Sequence, residues 1–258
     1  MSPSCTVVVP CYNEAARLVP GQLDALAVAA GARVLTVDDG STDGTNALLR
    51  ELVARDMGRF EVLTLAANAG KGEAVRHGLR AAIDAGADLV AYCDADFAAP
   101  PEEVARVVET LRAVDTVDVV LGSRVALLGS DIERSALRHY AGRLFATAGS
   151  LVLGVPVYDT QCGAKAFRVT DDLRRALAAP FASRWAFDVE LLGRLLDGAG
   201  GPTGRFVELP LACWREAPGS RLTAGAGLRA FVDLVRIRRA LRTHGTSGEP
   251  AGVEPTGA

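Results

Sequence analysis

The chain has 258 residues, 49% of them hydrophobic, enough to bury the core of one large domain. A formal net charge of -3 and a pI near 5.7 exclude an electrostatic case for nucleic acid as partner. The five cysteines (Cys5, Cys11, Cys93, Cys162, Cys213) lack C-x-x-C spacing and read as reduced small hydrophobes. No signal-like leader is evident and no run approaches the roughly 18 apolar residues of a membrane span, so a cytoplasmic protein is expected.

Thr6 to Pro10 is a β-branched strand stopped by proline, and Glu14 to Ala30 reads as a helix ended by Gly31. Arg33 to Asp38 is a second strand, and Asp39-Gly40-Ser41-Thr42-Asp43-Gly44 supplies a tight turn and N-cap residues for a helix running to Ala54. Phe60 to Leu65 is strand three, Gly72 to Ala85 helix three and Asp88 to Cys93 strand four. Pro100-Pro101-Glu102-Glu103 opens another helix with proline at its start and acids in its first turn, and Asp118 to Leu121 is strand five. Strands alternating with helices imply an α/β domain: a mostly parallel sheet with helices on both faces.

In such sheets ligands bind beyond the carboxyl ends of the strands. There lie Pro10 to Glu14, Asp38 to Ser41, Asn68 to Gly72, Asp94-Ala95-Asp96 and Gly122-Ser123-Arg124. Asp94 and Asp96 leave the tip of strand four on the same side and can share Mg2+ or Mn2+, which takes one or two carboxylates plus substrate phosphates. The same Asp-x-Asp is also ordinary strand-to-loop chemistry. The dinucleotide and P-loop glycine signatures are missing, against a dehydrogenase or a P-loop NTPase. Among 28 Lys+Arg only Lys71 and Lys165 are lysine; for Lys165, chance survival and function stand about even.

Val9-Pro10-Cys11-Tyr12-Asn13-Glu14, Val37-Asp38-Asp39-Gly40-Ser41-Thr42-Asp43-Gly44-Thr45, Asn68-Ala69-Gly70-Lys71-Gly72, Asp94-Ala95-Asp96 and Gly122-Ser123-Arg124 together resemble the family 2 inverting glycosyltransferases of the GT-A fold. Asp159 to Phe167, Arg184 to Glu190 and Pro218-Gly219-Ser220-Arg221-Leu222 narrow the resemblance to the polyprenyl-phosphate (dolichyl-phosphate) glucosyltransferase and mannosyltransferase branch, the glucosyl type being closer. The resemblance spans roughly Thr6 to Leu222 and implies a Rossmann-like single domain over 1–223; the residues beyond it read as an amphipathic basic helix at 224–242 and a disordered Gly/Pro/Thr tail at 243–258. It implies that Pro10, Asn13, Glu14, Asp38 and Asp39 hold the nucleoside, that Lys71 and Asp94 lie near the nucleotide, and that Asp94 and Asp96 carry the metal. Some relatives supply a further ligand two residues after the second aspartate, where this chain has Ala98.

The implied reaction moves a hexose, glucose favoured and mannose the alternative, from a nucleotide diphosphate sugar to a polyprenyl monophosphate with inversion. A phosphate monoester is already anionic at neutral pH and needs little help from a base. By resemblance Arg124 and Arg138 grip the acceptor phosphate, Asp96 and Arg221 neutralise the leaving diphosphate, and Asp159 lies near the sugar and acceptor. Asp188 and Glu190 are secondary candidates for sugar contacts, and Gln161 and Cys162 are read as structural. Ser135 to Leu153 has apolar residues at helical spacing, which is also what an ordinary packed helix shows. The helix from Gly227 to Leu241 gathers Arg236, Arg238, Arg239 and Arg242 at its end, suiting either the helix dipole or peripheral contact with an anionic inner membrane face. Three other readings stay open: a soluble glycosyltransferase for a small-molecule acceptor, a phosphohydrolase using an aspartate nucleophile, and a nucleotide-sugar-binding regulator.

Overall fold

The computed structural model describes residues 3–133, 136–198, 201, 204–216 and 232–241, with the backbone alone at 136–139. The amino-terminal half alternates β1 (Cys5–Cys11), α1 (Pro20–Ala29), β2 (Arg33–Asp38), α2 (Thr45–Arg55), β3 (Phe60–Thr64), α3 (Lys71–Asp84), β4 (Leu89–Cys93), α4 (Pro101–Ala113) and β5 (Val119–Ser123). After it come β6 (Asp131–Glu133), α5 (Ala136–Leu153), β7 (Ala164–Arg168), α6 (Asp171–Ala176), α7 (Phe187–Gly198), β8 (Phe206–Pro210) and β9 (Cys213–Arg215). A further helix occupies 232–241.

The main sheet has seven strands in the order β3-β2-β1-β4-β7-β5-β8, and β6 pairs with β9 as a separate parallel ribbon. Side chains alternate across it, so Val7 and Val9 of β1 face one core with Leu23 and Leu26 of α1 and Val104 and Leu111 of α4. Val8 faces the opposite core with Val75 and Leu79 of α3, Leu173 of α6 and Phe187 of α7. Each such fully buried side chain contributes roughly 1.5–3 kcal/mol of apolar burial. Both faces are covered, as the continuous apolar strands require. Pro10 sits in central strand β1 without cost because pairing with β4 has already ended at Val8–Tyr92.

The sheet is mostly parallel, as expected, and one expectation needs correcting. The first helix does not run from Glu14: Val19 is extended ahead of Pro20, so α1 starts at that proline and residues 14–18 form a turn. The sheet also contains β7, which runs antiparallel between β4 and β5 with Tyr92 opposite Lys165. That register matters, because it lays the tract leading into β7 alongside the tip of β4. All five cysteines are free.

Candidate active site

The loops after β1, β2 and β3 are tied to one another by their own side chains. Asn13, in the left-handed region at φ 53°, accepts from the Thr42 amide at 2.8 Å while its own amide donates to Ser41 Oγ at 3.0 Å. The Glu14 amide donates to Thr45 Oγ1 at 2.8 Å, and the Glu14 carboxylate takes a two-point grip from Arg17 at 2.6 and 2.9 Å. Asp38 is buried and accepts from the Ser41 amide at 3.0 Å and from Asn46 Nδ2 at 2.7 Å. Asp39, also buried, accepts from the Ala69 and Gly70 amides at 2.7 and 2.8 Å and from Asn68 Nδ2 at 2.9 Å. Both aspartates thus brace these loops, accepting from the amides of Ser41, Ala69 and Gly70.

β4 delivers the paired carboxylates. Asp94 is half-buried with Oδ1 2.6 Å from Lys71 Nζ, and Asp96 is the exposed member, its Oδ1 accepting from the Ala98 amide at 3.1 Å. Burial alone raises the Asp94 carboxyl, but Lys71 more than offsets it and leaves it below the ordinary range. Partial burial and the neighbouring charge of Asp94 push Asp96 upwards. Directly after Asp96 the chain turns through Phe97 at φ 48°, a left-handed conformation that a bulky residue adopts only where its surroundings hold it. Two neighbouring hard carboxylates, one of which raises the proton affinity of the other, fit Mg2+ or Mn2+, with the remaining positions left for water and diphosphate oxygens. Among the described residues no third His, Cys, Asp or Glu joins them. At position 98 the backbone is what counts, since Ala98 N–H holds Asp96 and its carbonyl accepts from the Arg215 amide at 2.9 Å.

The floor of this site is ionic. Lys165 is 1% exposed, and its Nζ lies 2.7 Å from Asp188 Oδ1, which also accepts from the Tyr92 hydroxyl. The buried Lys165 ammonium also adds to the field that lowers the Asp94 carboxyl. Gly163, opposite the tip of β4, lies so close that a Cβ built there would overlap the Asp94 carboxylate. Asp188 binds Lys165 and Tyr92 from inside the protein. Glu190 is fully buried, accepting from the Ala182 amide at 2.8 Å and pairing with Arg194 at 2.6 Å, so it organises the loop before α7.

On the far side of the carboxylates, Arg124 and Asp159 are given to each other. Arg124 Nε donates to Oδ2 at 2.6 Å, Nη2 to Oδ1 at 2.8 Å, and the Arg124 amide to Oδ2 at 3.1 Å. Burial would raise Asp159, but the guanidinium overcomes it and holds the carboxyl at about 2. Glu208 of β8 accepts from the Tyr158 and Asp159 amides at 2.9 and 3.0 Å, and Arg143 lies 3.8 Å over the Tyr158 ring while donating to its carbonyl at 3.0 Å.

The apolar stripe expected on α5 divides. Phe145, Ala148 and Val152 pack with Val189, Leu234 and Ile237, seating the helix at 232–241, whereas Leu144 and Leu151 are 61% and 77% exposed. Arg138 lies on α5 with its side chain outside the described residues. Arg221 and the segments 217–231 and 242–258, including the start of the last helix, Arg242 and the tail, are also outside them. Sequence reasoning quoted Arg184 only within a longer tract, yet its guanidinium lies over the turn after β3, donating to the carbonyl of Asn68 at 3.1 Å.

The family described as "Glycosyl transferase family 2" matches residues 6–173. Dolichyl-phosphate beta-glucosyltransferase of Dictyostelium discoideum is 30% identical over 256 residues, 90% of this chain and 73% of that protein. Undecaprenyl-phosphate mannosyltransferase of Micrococcus luteus is 31% identical over 245 residues, 92% of this chain and 95% of that one. Among solved structures, glucosyl-3-phosphoglycerate synthase of Mycobacterium tuberculosis, in complex with Mn2+, UDP and glucosyl-3-phosphoglycerate, superposes with a TM-score of 0.60 at 20% identity, covering 97% of this chain and 82% of that one.

Proposed function

Because the chain belongs to glycosyl transferase family 2, we propose that it transfers a hexose from a nucleotide diphosphate sugar to a polyprenyl monophosphate, with inversion at the anomeric carbon. The observation that carries this reading is the gathering, at the carboxyl ends of β1 to β5, of loops braced by Asp38 and Asp39, a Lys71–Asp94–Asp96 charge cluster and a buried Arg124–Asp159 pair. UDP-glucose is the proposed donor, supported by the 30% identity to a dolichyl-phosphate beta-glucosyltransferase. GDP-mannose is the alternative, supported by the relative that is a mannosyltransferase.

The loops after β1 to β3 would hold the nucleoside: Asn13 and Glu14 from one side, with Asp38 and Asp39 fixing the amides around it. Lys71 begins α3, and its proposed task is to meet phosphate at the helix end where the dipole also favours anions. Asp94 and Asp96 would hold Mg2+ or Mn2+, which supplies charge neutralisation for the departing diphosphate. Arg221 is proposed to share that task. The acceptor phosphate, with a second pKa near 6, is its own nucleophile at neutral pH. Asp159, held at about 2, is a poor proton acceptor, so its proposed task is to orient Arg124 towards the acceptor; Arg138 is proposed as the second phosphate-gripping arginine.

Among the described residues no helix is long and apolar enough to cross a membrane. Peripheral contact with the acceptor's membrane is proposed from exposed side chains. Leu144 and Leu151 on α5, Val232 and Val235 on the last helix, and Arg236, Arg238 and Arg239 beside them are all exposed, a combination suited to an anionic lipid surface. The anomeric configuration of the lipid-linked product tests the chemistry: a β-linked sugar from an α-linked donor is expected, and an α-linked product would contradict inversion.

A further inference from the structure

Arg184 stands in the loop between α6 and α7, and three contacts fix the backbone on which it stands. Ser183 Oγ accepts from the Trp185 and Ala186 amides at 3.2 and 2.8 Å and donates to Asp233 of the helix at 232–241 at 2.8 Å. The Arg184 carbonyl accepts from the Gly72 amide at 3.3 Å, in the first turn of α3. Trp185 meets Phe145 of α5 edge to face, ring centroids 5.5 Å apart. The base of the loop is thus anchored to three separate helices, and the side chain is presented from rigid elements.

The side chain itself is exposed and lies across the turn after β3. Its Nη2 donates to both the carbonyl and the side-chain oxygen of Asn68. Gly70 makes room for it: φ there is +98°, and a Cβ would stand 2.6 Å from Arg184 Nε. This is the turn whose amides Asp39 accepts and from which Lys71 enters α3. Lys71 has a counter-charge in Asp94, whereas among the described residues no carboxylate pairs with Arg184 and neither Nε nor Nη1 has a hydrogen-bond partner. A guanidinium fixed by one nitrogen, with the rest of its fork open at the positive end of a 14-residue helix, is arranged for a further anionic ligand.

We propose that Arg184 is a donor-binding residue, supplying with Lys71 a second cation for the diphosphate of the nucleotide sugar. The proposal rests on the donor site described under the proposed function and adds to it a residue from the second half of the chain. Its consequence is specific: Arg184 should matter for phosphate and not for the nucleoside.

The test is titration of UDP, GDP and uridine, each with Mn2+, into the full chain and its variants, by calorimetry for the nucleotides and saturation-transfer NMR for uridine. Arg184→Ala should weaken the bound nucleoside diphosphate at least about tenfold while leaving uridine unchanged, and Arg184→Lys should recover part of the loss. Arg55→Ala removes a surface guanidinium that pairs with Asp24 and controls for net charge. Unchanged diphosphate affinity in Arg184→Ala, an equal loss of diphosphate and uridine, or an equal loss in Arg55→Ala would each overturn the inference. A wild-type chain that binds neither UDP nor GDP would instead contradict the donor reading itself, and the inference with it.

Discussion

Arg124 and Asp159 meet fork to fork, Nε to Oδ2 at 2.6 Å and Nη2 to Oδ1 at 2.8 Å, across 35 residues of chain. A bidentate pair of this kind is directional as well as strong. Glu208 fixes the carboxylate side by accepting from the Tyr158 and Asp159 amides, so the direction of the guanidinium is determined by β8 and not by its own flexible stem.

Removing Asp159's charge should therefore cost stability in a pH-dependent way. Its carboxyl is depressed from 3.8 to about 2, so its contribution is fully present above the unfolded value and is lost as pH falls through the folded one. Asp159→Asn should destabilise the protein by about 3 kcal/mol at pH 7, since it leaves a buried guanidinium without its partner. The gap to wild type should close between about pH 4 and pH 2, as the carboxyl takes up its proton. Denaturant melts across that range check this, and a gap that stays constant with pH would refute it.

Gly163→Ala is expected to separate activity from folding. A Cβ there overlaps the Asp94 carboxylate, so the methyl must displace one of the two proposed metal-holding groups. Turnover should fall by about 100-fold or more, the usual cost of misplacing a catalytic group by an ångström. The unfolding midpoint should move little, because Asp94 is half-exposed and can yield towards solvent. Steady-state rates and a melt on the same sample are the measurement.

For Lys165 the expectation is thermodynamic. Lys165→Met alone strands Asp188 in the interior and should cost about 3–5 kcal/mol. The double change with Asp188→Asn should recover most of that loss, since the amide oxygen can still accept from Tyr92 while no charge is left unpaired. Equal losses for single and double variants would mean that packing, and not the ion pair, dominates.

Strands β1 to β5 could be placed from sequence because each is a short apolar run closed by turn chemistry, and the loops at their carboxyl ends then located the site. Long-range side-chain pairing left no comparable trace. Ala164-Lys165-Ala166-Phe167-Arg168 carries a lysine as its second residue, and Lys165 can lie buried in β7 because Asp188, 23 residues later, pairs with it. Arg124 and Asp159 were expected to face ligands separately, and periodicity carries no sign that they would face each other. The first helix was overrun because its apolar spacing continues back past Pro20, where the conformational limits of proline decided the matter. Arg184's place over Gly70 depends on a positive φ that no residue-type pattern specifies. Arg138 and Arg221 remain as the sequence presents them, proposals about acceptor and leaving group.

The most direct test is transfer of radiolabel from UDP-glucose and from GDP-mannose into an organic-extractable product, with Mn2+ or Mg2+, in the presence and absence of added polyprenyl phosphate. Label should enter the lipid phase from UDP-glucose, and only when both metal and lipid phosphate are supplied. Donor consumption that ignores the lipid phosphate and depends on a water-soluble acceptor would contradict the proposed function.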